Sequence, residues 1–176
     1  MELQAALEQR FSCRAYTETA PTKEQITAVL EAGRLTPTAR NIQPQRIFVV
    51  TGEDNLAKLD GCVVNRYKAP VAFVIGYDSA EASTHDPARL GGTFFSFGEQ
   101  DCISALVHMA LKATDLGLGT CWLGAINDAA LKKTFAIPES VNVRAVLVMG
   151  NPDPEKGVPA PLHTTRRPLD ETVTWI

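Results

Sequence analysis

Near the N-terminus the stretch QRFSCRAY sets Arg10, Ser12 and Arg14 at alternate positions. If the chain is extended there, successive side chains point to opposite faces, and the two guanidiniums and the hydroxyl share one of them. Arginine offers forked donors matched to phosphate or carboxylate oxygens, so the trio would clamp an anion. The competing reading is a solvated basic patch at a helix end, where arginine complements the helix dipole. A second basic pair, Arg166 and Arg167, stands before Pro168. Alone it is a surface feature of a polar tail; together with the first it could converge on one phosphate.

A third candidate is GLGTCWLG, from Gly117 to Gly124. It does not follow a strand and open a helix, and it lacks a GK[ST] ending, which excludes a Rossmann fingerprint and a P-loop. Glycine there would still let backbone N–H groups approach a flat ligand that side chains at Gly119 or Gly124 would block. A plain helix-to-strand turn is the alternative. There is no G-x-S-x-G elbow, HExxH or EF-hand loop. Asp101, close to Glu99, reads as the N-cap of a long apolar helix rather than half of a carboxylate pair. Cys13, Cys62, Cys102 and Cys121 are scattered without a CxxC pair or a histidine at ligand spacing, so no metal site or disulfide framework is signalled. His85, His108 and His163 are equally dispersed. Polar loops and arginine clusters without an acid, base or nucleophile of their own suit a protein whose cofactor carries the chemistry.

These groups need elements to place them. Leu3, Ala6 and Leu7 repeat at helical spacing over Met1 to Gln9, directly before the basic segment. Thr22 and Gln25 fit a capping box opening a helix whose one face carries Ile26, Val29, Leu30 and Gly33. The loop TPTARNIQPQ, Thr36 to Gln45, leads into RIFVVTG, a buried strand. Asp54 to Leu59 reads as a short helix and APVAFVIGY as a second buried strand, followed by a polar loop from Asp78 to Pro87. Asp101 to Leu116 is apolar on nearly every side, as for a helix in the middle of a domain or half of a subunit interface, with Gly117 as its stop. Asn127 caps a short amphipathic helix, and Val141 to Met149 alternates into a third strand. The proline-rich tail excludes helix through most of its length, yet ends in Val173, Trp175 and Ile176, which need something to bury against.

At 176 residues, 45% hydrophobic and 21% charged, the chain reads as one globular domain spanning 1–176. A net charge of −3 argues against a broad nucleic-acid surface. The N-terminal MELQAALEQR is not a basic segment followed by an apolar run, and no 18-residue apolar segment occurs. The expectation is therefore a cytoplasmic protein with no membrane span. The mixture of helices with few, irregularly spaced strands predicts an α+β class, or mixed α/β, with a small sheet packed by helices on both sides.

RFSCRAY, PTARNIQP, DCISALVHMALKATDLGLGTCWLG and RRPLDETV, in that order and at that spacing, resemble the nitroreductase family of FMN-dependent oxidoreductases. The resemblance runs from Leu3 to the end and is weakest between Gly52 and Gln100. It implies an α+β fold with a small central mixed sheet, helices on both sides and a C-terminal extension exchanged across a homodimer that holds two FMN sites at its interface. In the family, the segment matching Arg10, Ser12 and Arg14 binds the phosphate, ribityl chain and pyrimidine side of FMN. Arg166 matches a second phosphate-binding position. Arg14 would place positive charge near flavin N1 and O2, raising the electron affinity of the ring. Leu123 and Gly124 match the backbone that passes the reactive edge, with the Gly124 N–H facing N5 and Ala125 close to O4. Pro37, Thr38 and Asn41 match a loop that packs on the flavin of the partner subunit.

The implied activity is hydride transfer from NAD(P)H to flavin N5, then reduction of a nitroaromatic, quinone or similar acceptor by a ping-pong mechanism, with no catalytic side chain required. An FMN-binding storage or sensing protein is the alternative. Two positions depart from the family pattern: Thr38 stands where serine is frequent, and Gln45 where tryptophan is usual. The long lid insertions of dehalogenating and flavin-fragmenting relatives are absent.

Overall fold

A computed structural model describes residues 1–85 and 95–176. The elements are α1 (Leu3–Gln9), α2 (Lys23–Arg34), a 3₁₀ turn (Ala39–Asn41), β1 (Gln45–Val50), α3 (Glu53–Asp60), β2 (Val71–Asp78), β3 (Thr84–His85) and β4 (Phe95–Ser96). They continue with α4 (Gly98–Asp115), β5 (Gly119–Leu123), α5 (Asp128–Phe135), β6 (Val141–Gly150), a second 3₁₀ turn (Pro161–Thr164) and α6 (Leu169–Thr172). The expected polar loop from Asp78 to Pro87 is described as far as His85, and its last two residues lie outside the described residues.

The main sheet has the order β1-β2-β6-β5, and β2, in its interior, is buried from Val71 through Tyr77. Val71, Phe73, Ile75 and Tyr77 of β2 enter one core with Val29, Leu106 and Met109. Ala72 and Val74, on the opposite face, join Leu59, Leu131 and Val148 in a second core. Helices therefore cover both faces: α2 and α4 on one, α3 and α5 on the other. In β6 the alternation switches at Arg144, where the pairing jumps from Ile75–Ala145 to Gly76–Val143. This bulge puts Val141 and Val143 in the second core and Ala145 and Leu147 in the first, a change of face that a strict alternation would forbid.

The mixed sheet of the sequence reading is refined. All of the ladders in the main sheet are antiparallel. Among the described residues the parallel pairing is the isolated bridge between Ser12 and Thr120. The excursion through α3 leaves β1 and re-enters β2 at the same end, pairing Val50 with Ala72, so the helix between two strands does not make them parallel. Within GLGTCWLG, Gly117 and Leu118 make the turn out of α4, and Gly119–Leu123 form β5 at the edge of the sheet, pairing with Val146–Gly150. Glycine is depleted in strands, which hides this one from a propensity reading.

Local signals hold where they rest on backbone geometry. The capping box is present, with Gln25 N–H donating to Thr22 Oγ1 at 3.2 Å and Thr22 N–H donating to Gln25 Oε1 at 2.9 Å. Asn127 Oδ1 accepts from Ala130 N–H at 3.0 Å. Gly117, at φ +74°, ends α4, with Gly117 N–H bonded to Thr114 O and Leu118 N–H to Ala113 O, the pair of bonds that closes a Schellman motif. Asp101, by contrast, is not the cap. Phe97 precedes the first helical residue of α4, and Asp101 lies inside the first turn, where its carboxylate is free to reach another element. No helix among the described residues is long and apolar enough to cross a membrane.

Candidate functional site

After α1 the backbone becomes extended and lies against the edge strand. Cys13 N–H donates to Thr120 O at 2.8 Å, Thr17 N–H donates to Asn151 O at 2.9 Å, and Tyr16 Oη donates to Cys13 O at 2.7 Å. Alternation does the rest. Cys13 turns inward and is fully buried, while Ser12 and Arg14 turn outward. Burial raises the Cys13 thiol pKa, and it also raises that of Cys121, against the opposing pull of nearby Arg14.

The tail docks on this segment. His163 Nε2 donates to Glu8 O at 3.0 Å, and its ring meets Phe11 edge-on with centroids 6.0 Å apart. Arg166 Nη1 then bonds the carbonyls of His163 and Thr165. Arg10, Ser12, Arg14 and Arg166 consequently line one cleft of about 250 Å³, so the two basic clusters converge within one chain. Among the described residues no carboxylate lines this cleft and none pairs with Arg10 or Arg14. Uncompensated guanidiniums around one hollow favour an anion there. Arg10 and Ser12 also wall a second cleft of about 290 Å³, floored by Leu106, Val107, Thr120 and Trp122. A basic end continuous with an apolar floor suits a ligand that is anionic at one end and flat and apolar at the other.

Beyond Trp122 the chain runs through Leu123 and Gly124. Isolated pairing of Val63 with Ile126, and Asn127 N–H donating to Cys62 O at 2.9 Å, bring the Gly61–Val64 turn beside it. Together they enclose a hollow of about 410 Å³. A Cβ built on Gly124 meets nothing within 4 Å, so the packing of the chain leaves that position free for a close neighbour from outside. Gly119 differs: a Cβ there would lie 2.7 Å from Cys13 Cβ and 2.8 Å from Cys13 Sγ. Gly119 thus serves the fit of the N-terminal segment on β5, and the approach to a ligand suggested for either glycine falls to Gly124. Trp122 and the Gly61–Val64 wall were not singled out by sequence. Only the half-exposed Trp122, a large aromatic in an edge strand, carried a readable signal.

The loop from Thr36 to Gln45 is elsewhere. Neither cleft walled by Arg10 and Ser12 includes Pro37, Thr38 or Asn41. Arg40, Asn41 and Gln43 adopt φ of 56°, 56° and 57°, a left-handed conformation that costs non-glycine residues roughly 1–2 kcal/mol each. The loop is held by Gln43 N–H donating to Thr38 Oγ1 at 3.0 Å, Ala39 N–H donating to Asp101 Oδ1 at 3.0 Å, and Asp78 N–H donating to Pro44 O at 2.9 Å. Gln45 sits at the start of β1 with its Oε1 buried and unpaired.

Fold and cleft together define an α+β protein with an antiparallel sheet, covered on both faces, and a basic-to-apolar groove along its edge strand. The chain belongs to the nitroreductase family, whose model matches residues 7–66 and 62–151. It is 31% identical over 151 residues, 84% of this chain and 83% of the relative, to a protein of Archaeoglobus fulgidus described as "putative NADH dehydrogenase/NAD(P)H nitroreductase". A nitroreductase family protein from Clostridium difficile 630 superposes with a TM-score of 0.88 at 30% identity, covering 99% of this chain and 98% of that one. A Desulfovibrio desulfuricans structure described as a "putative nitroreductase in complex with FMN" superposes at 0.81 with 26% identity, covering 100% and 97%.

Proposed function

We infer that this chain is an FMN-dependent oxidoreductase that takes a hydride from NAD(P)H and passes electrons to a small acceptor such as a nitroaromatic or quinone. The observation that carries the reading is the convergence of Arg10, Ser12, Arg14 and Arg166 on a cleft continuous with an apolar floor. The residues fit FMN in type: phosphate oxygens would meet the guanidiniums, the ring would lie beside the apolar wall, and Gly124, just past Trp122 in the chain, leaves space where a flat edge could approach the backbone. When bound, FMN supplies the hydride- and electron-accepting ring.

The chain's own part is binding and orientation. Arg10 and Arg166 neutralise the phosphate end, and Ser12 offers a hydroxyl between them. Arg14 places a fixed positive charge along the groove. Leu123 and Gly124 present backbone at the ring edge, with no side chain in the way. The hydride donor and the acceptor would use the same face in turn, the oxidised nicotinamide leaving before the acceptor enters, which is a ping-pong order. No side-chain acid or base is assigned, because solvent can supply the protons.

The functional unit in this reading is a homodimer. Pro37, Thr38 and Asn41 lie away from the groove of their own chain, and a second copy would bring them to it. Trp175 is 91% exposed and Leu169 71% exposed, and Val107 of α4 is exposed as well, an apolar surface that a partner would cover. An anaerobic spectrum of the purified protein with and without NADH and NADPH tests the proposal. A flavin absorbance bleached by either nucleotide is expected. A yellow protein that neither bleaches would be a storage or sensing protein, and a colourless one that takes up no FMN would refute the assignment.

A further inference from the structure

Asp101 has no place in the binding groove, yet it is 5% exposed, and its two carboxylate oxygens are treated differently. Oδ1 accepts the N–H of Ala39, 62 positions earlier in the chain. Oδ2 is buried and has no hydrogen-bond partner among the described residues. A buried carboxylate with half its acceptor capacity unmet lowers the stability of the fold, and a residue kept only for packing would not be one. The group that donates this single bond is the Ala39 amide, directly before Arg40 and Asn41, two of the three loop residues forced into the left-handed region. A costly side chain is thus bonded to a costly backbone, at a loop also held within itself by Gln43 N–H on Thr38 Oγ1 and Asn41 N–H on Thr38 O, and at its ends by Thr36 N–H on Gly33 O and Asp78 N–H on Pro44 O.

We propose that Asp101 is a positioning residue: through the Ala39 N–H it holds the Thr36–Gln45 loop in the one strained shape that presents Thr38 and Asn41 to FMN. The place of Asp101 in the first turn of α4 suits this role. Its own N–H donates to Phe97 O at 2.9 Å in the ordinary helical bond, so Asp101 stands four residues past the N-cap, where its side chain cannot serve as the cap. The favourable end of the helix dipole supports the negative charge there. The loop's contact with FMN rests on the function proposed above; the hold on the loop rests on the geometry alone.

Two readouts on the purified full-length protein separate these. Arg40 is exposed, so trypsin cleavage of the Arg40–Asn41 bond, followed by mass spectrometry, reports how firmly the loop is held. FMN titration reports the site. Asp101→Ala and Asp101→Leu should raise the cleavage rate at Arg40 at least tenfold and weaken FMN binding by a similar factor, whereas Asp101→Asn, whose amide oxygen still accepts from Ala39, should stay within about threefold of the native protein in both. Unchanged cleavage at Arg40 in the Ala and Leu variants would overturn the proposal. So would an Asn variant that behaves like Ala, since charge rather than the hydrogen bond would then be at work. Faster cleavage with native FMN affinity would overturn the link from loop to flavin. A native protein that binds no FMN would refute the proposed function, while the cleavage arm would still decide whether Asp101 holds the loop.

Discussion

Gly119 and Gly124 lie in and just after the same edge strand, and the same substitution should have opposite consequences at the two. In Gly119→Ala the new methyl would sit 2.7 Å from Cys13 Cβ and 3.1 Å from Pro152 Cγ, well inside van der Waals contact. Cys13 cannot swing away, because it is fully buried and its N–H is bonded to Thr120 O. Overpacking of this kind costs about 1–3 kcal/mol. In Gly124→Ala the methyl meets no atom within 4 Å, and no positive φ excludes an L-residue. Alanine there should stabilise the flavin-free protein by about 0.4–1 kcal/mol by narrowing the unfolded ensemble. The flavin response reverses. Gly124→Ala places its methyl where the ring edge is proposed to approach and should weaken FMN binding on the order of tenfold, about 1.4 kcal/mol, with Gly124→Val weaker still. Urea unfolding of the flavin-free variants and FMN titration of each measure the two effects. A destabilised Gly124→Ala would refute the open space at that position, a Gly124→Val with native FMN affinity and native NADH reduction rate would remove the backbone assignment, and an undisturbed Gly119→Ala would refute the close fit of Cys13 on β5.

Arg14→Ala and Arg166→Ala should each weaken FMN binding by about tenfold or more, since each removes a charge-assisted contact to an anionic ligand; flavin titration with unchanged affinity would rule out that contact. Truncation before Thr165 removes Arg166 together with the exposed apolar tail, and should lower flavin content and dimer stability together; sedimentation that finds an intact flavin-bearing dimer would contradict this. Burial pushes the Cys102 thiol up to about 12. The folded protein therefore holds this proton more tightly than the unfolded chain, and the stability it lends is complete below pH 9 and lost as the pH rises toward 12, up to about 4 kcal/mol in all. Cys102→Ala should flatten the fall of stability over that alkaline range in chemical unfolding at stepped pH, and an equal slope in the two proteins would be evidence against it.

The helix signals were readable because they are local. Thr22 and Gln25 close a capping box, Asn127 caps α5 and Gly117 ends α4 through bonds that span only a few residues. The alternation of Arg10, Ser12 and Arg14 was readable for the same reason, since a period of two needs only an extended backbone. Sequence could not identify β5, because Gly119 within it and Gly117 and Gly124 around it argue against a strand until β6 and the N-terminal segment are seen on either side of it. It could not choose between Gly119 and Gly124, because what a Cβ would strike is a matter of neighbours far along the chain. Asp101 was misread for a related reason. An acidic residue at the start of an apolar helix looks like a cap, and only the arrival of Ala39 shows what its carboxylate holds.

By itself the sequence determined the inventory: which side chains could face an anion, where helices begin and end, and which segments are apolar enough to form a core. The tertiary structure decided what those side chains act on together. The stretch holding Arg10 and Arg14 and the tail holding Arg166 form one cleft because His163 docks on Glu8 and Phe11, a contact between positions more than 150 residues apart. Periodicity and capping are properties of neighbouring residues and are written in their order. Convergence depends on how the chain closes its long loops around two cores, and that is fixed only when the whole sheet is assembled.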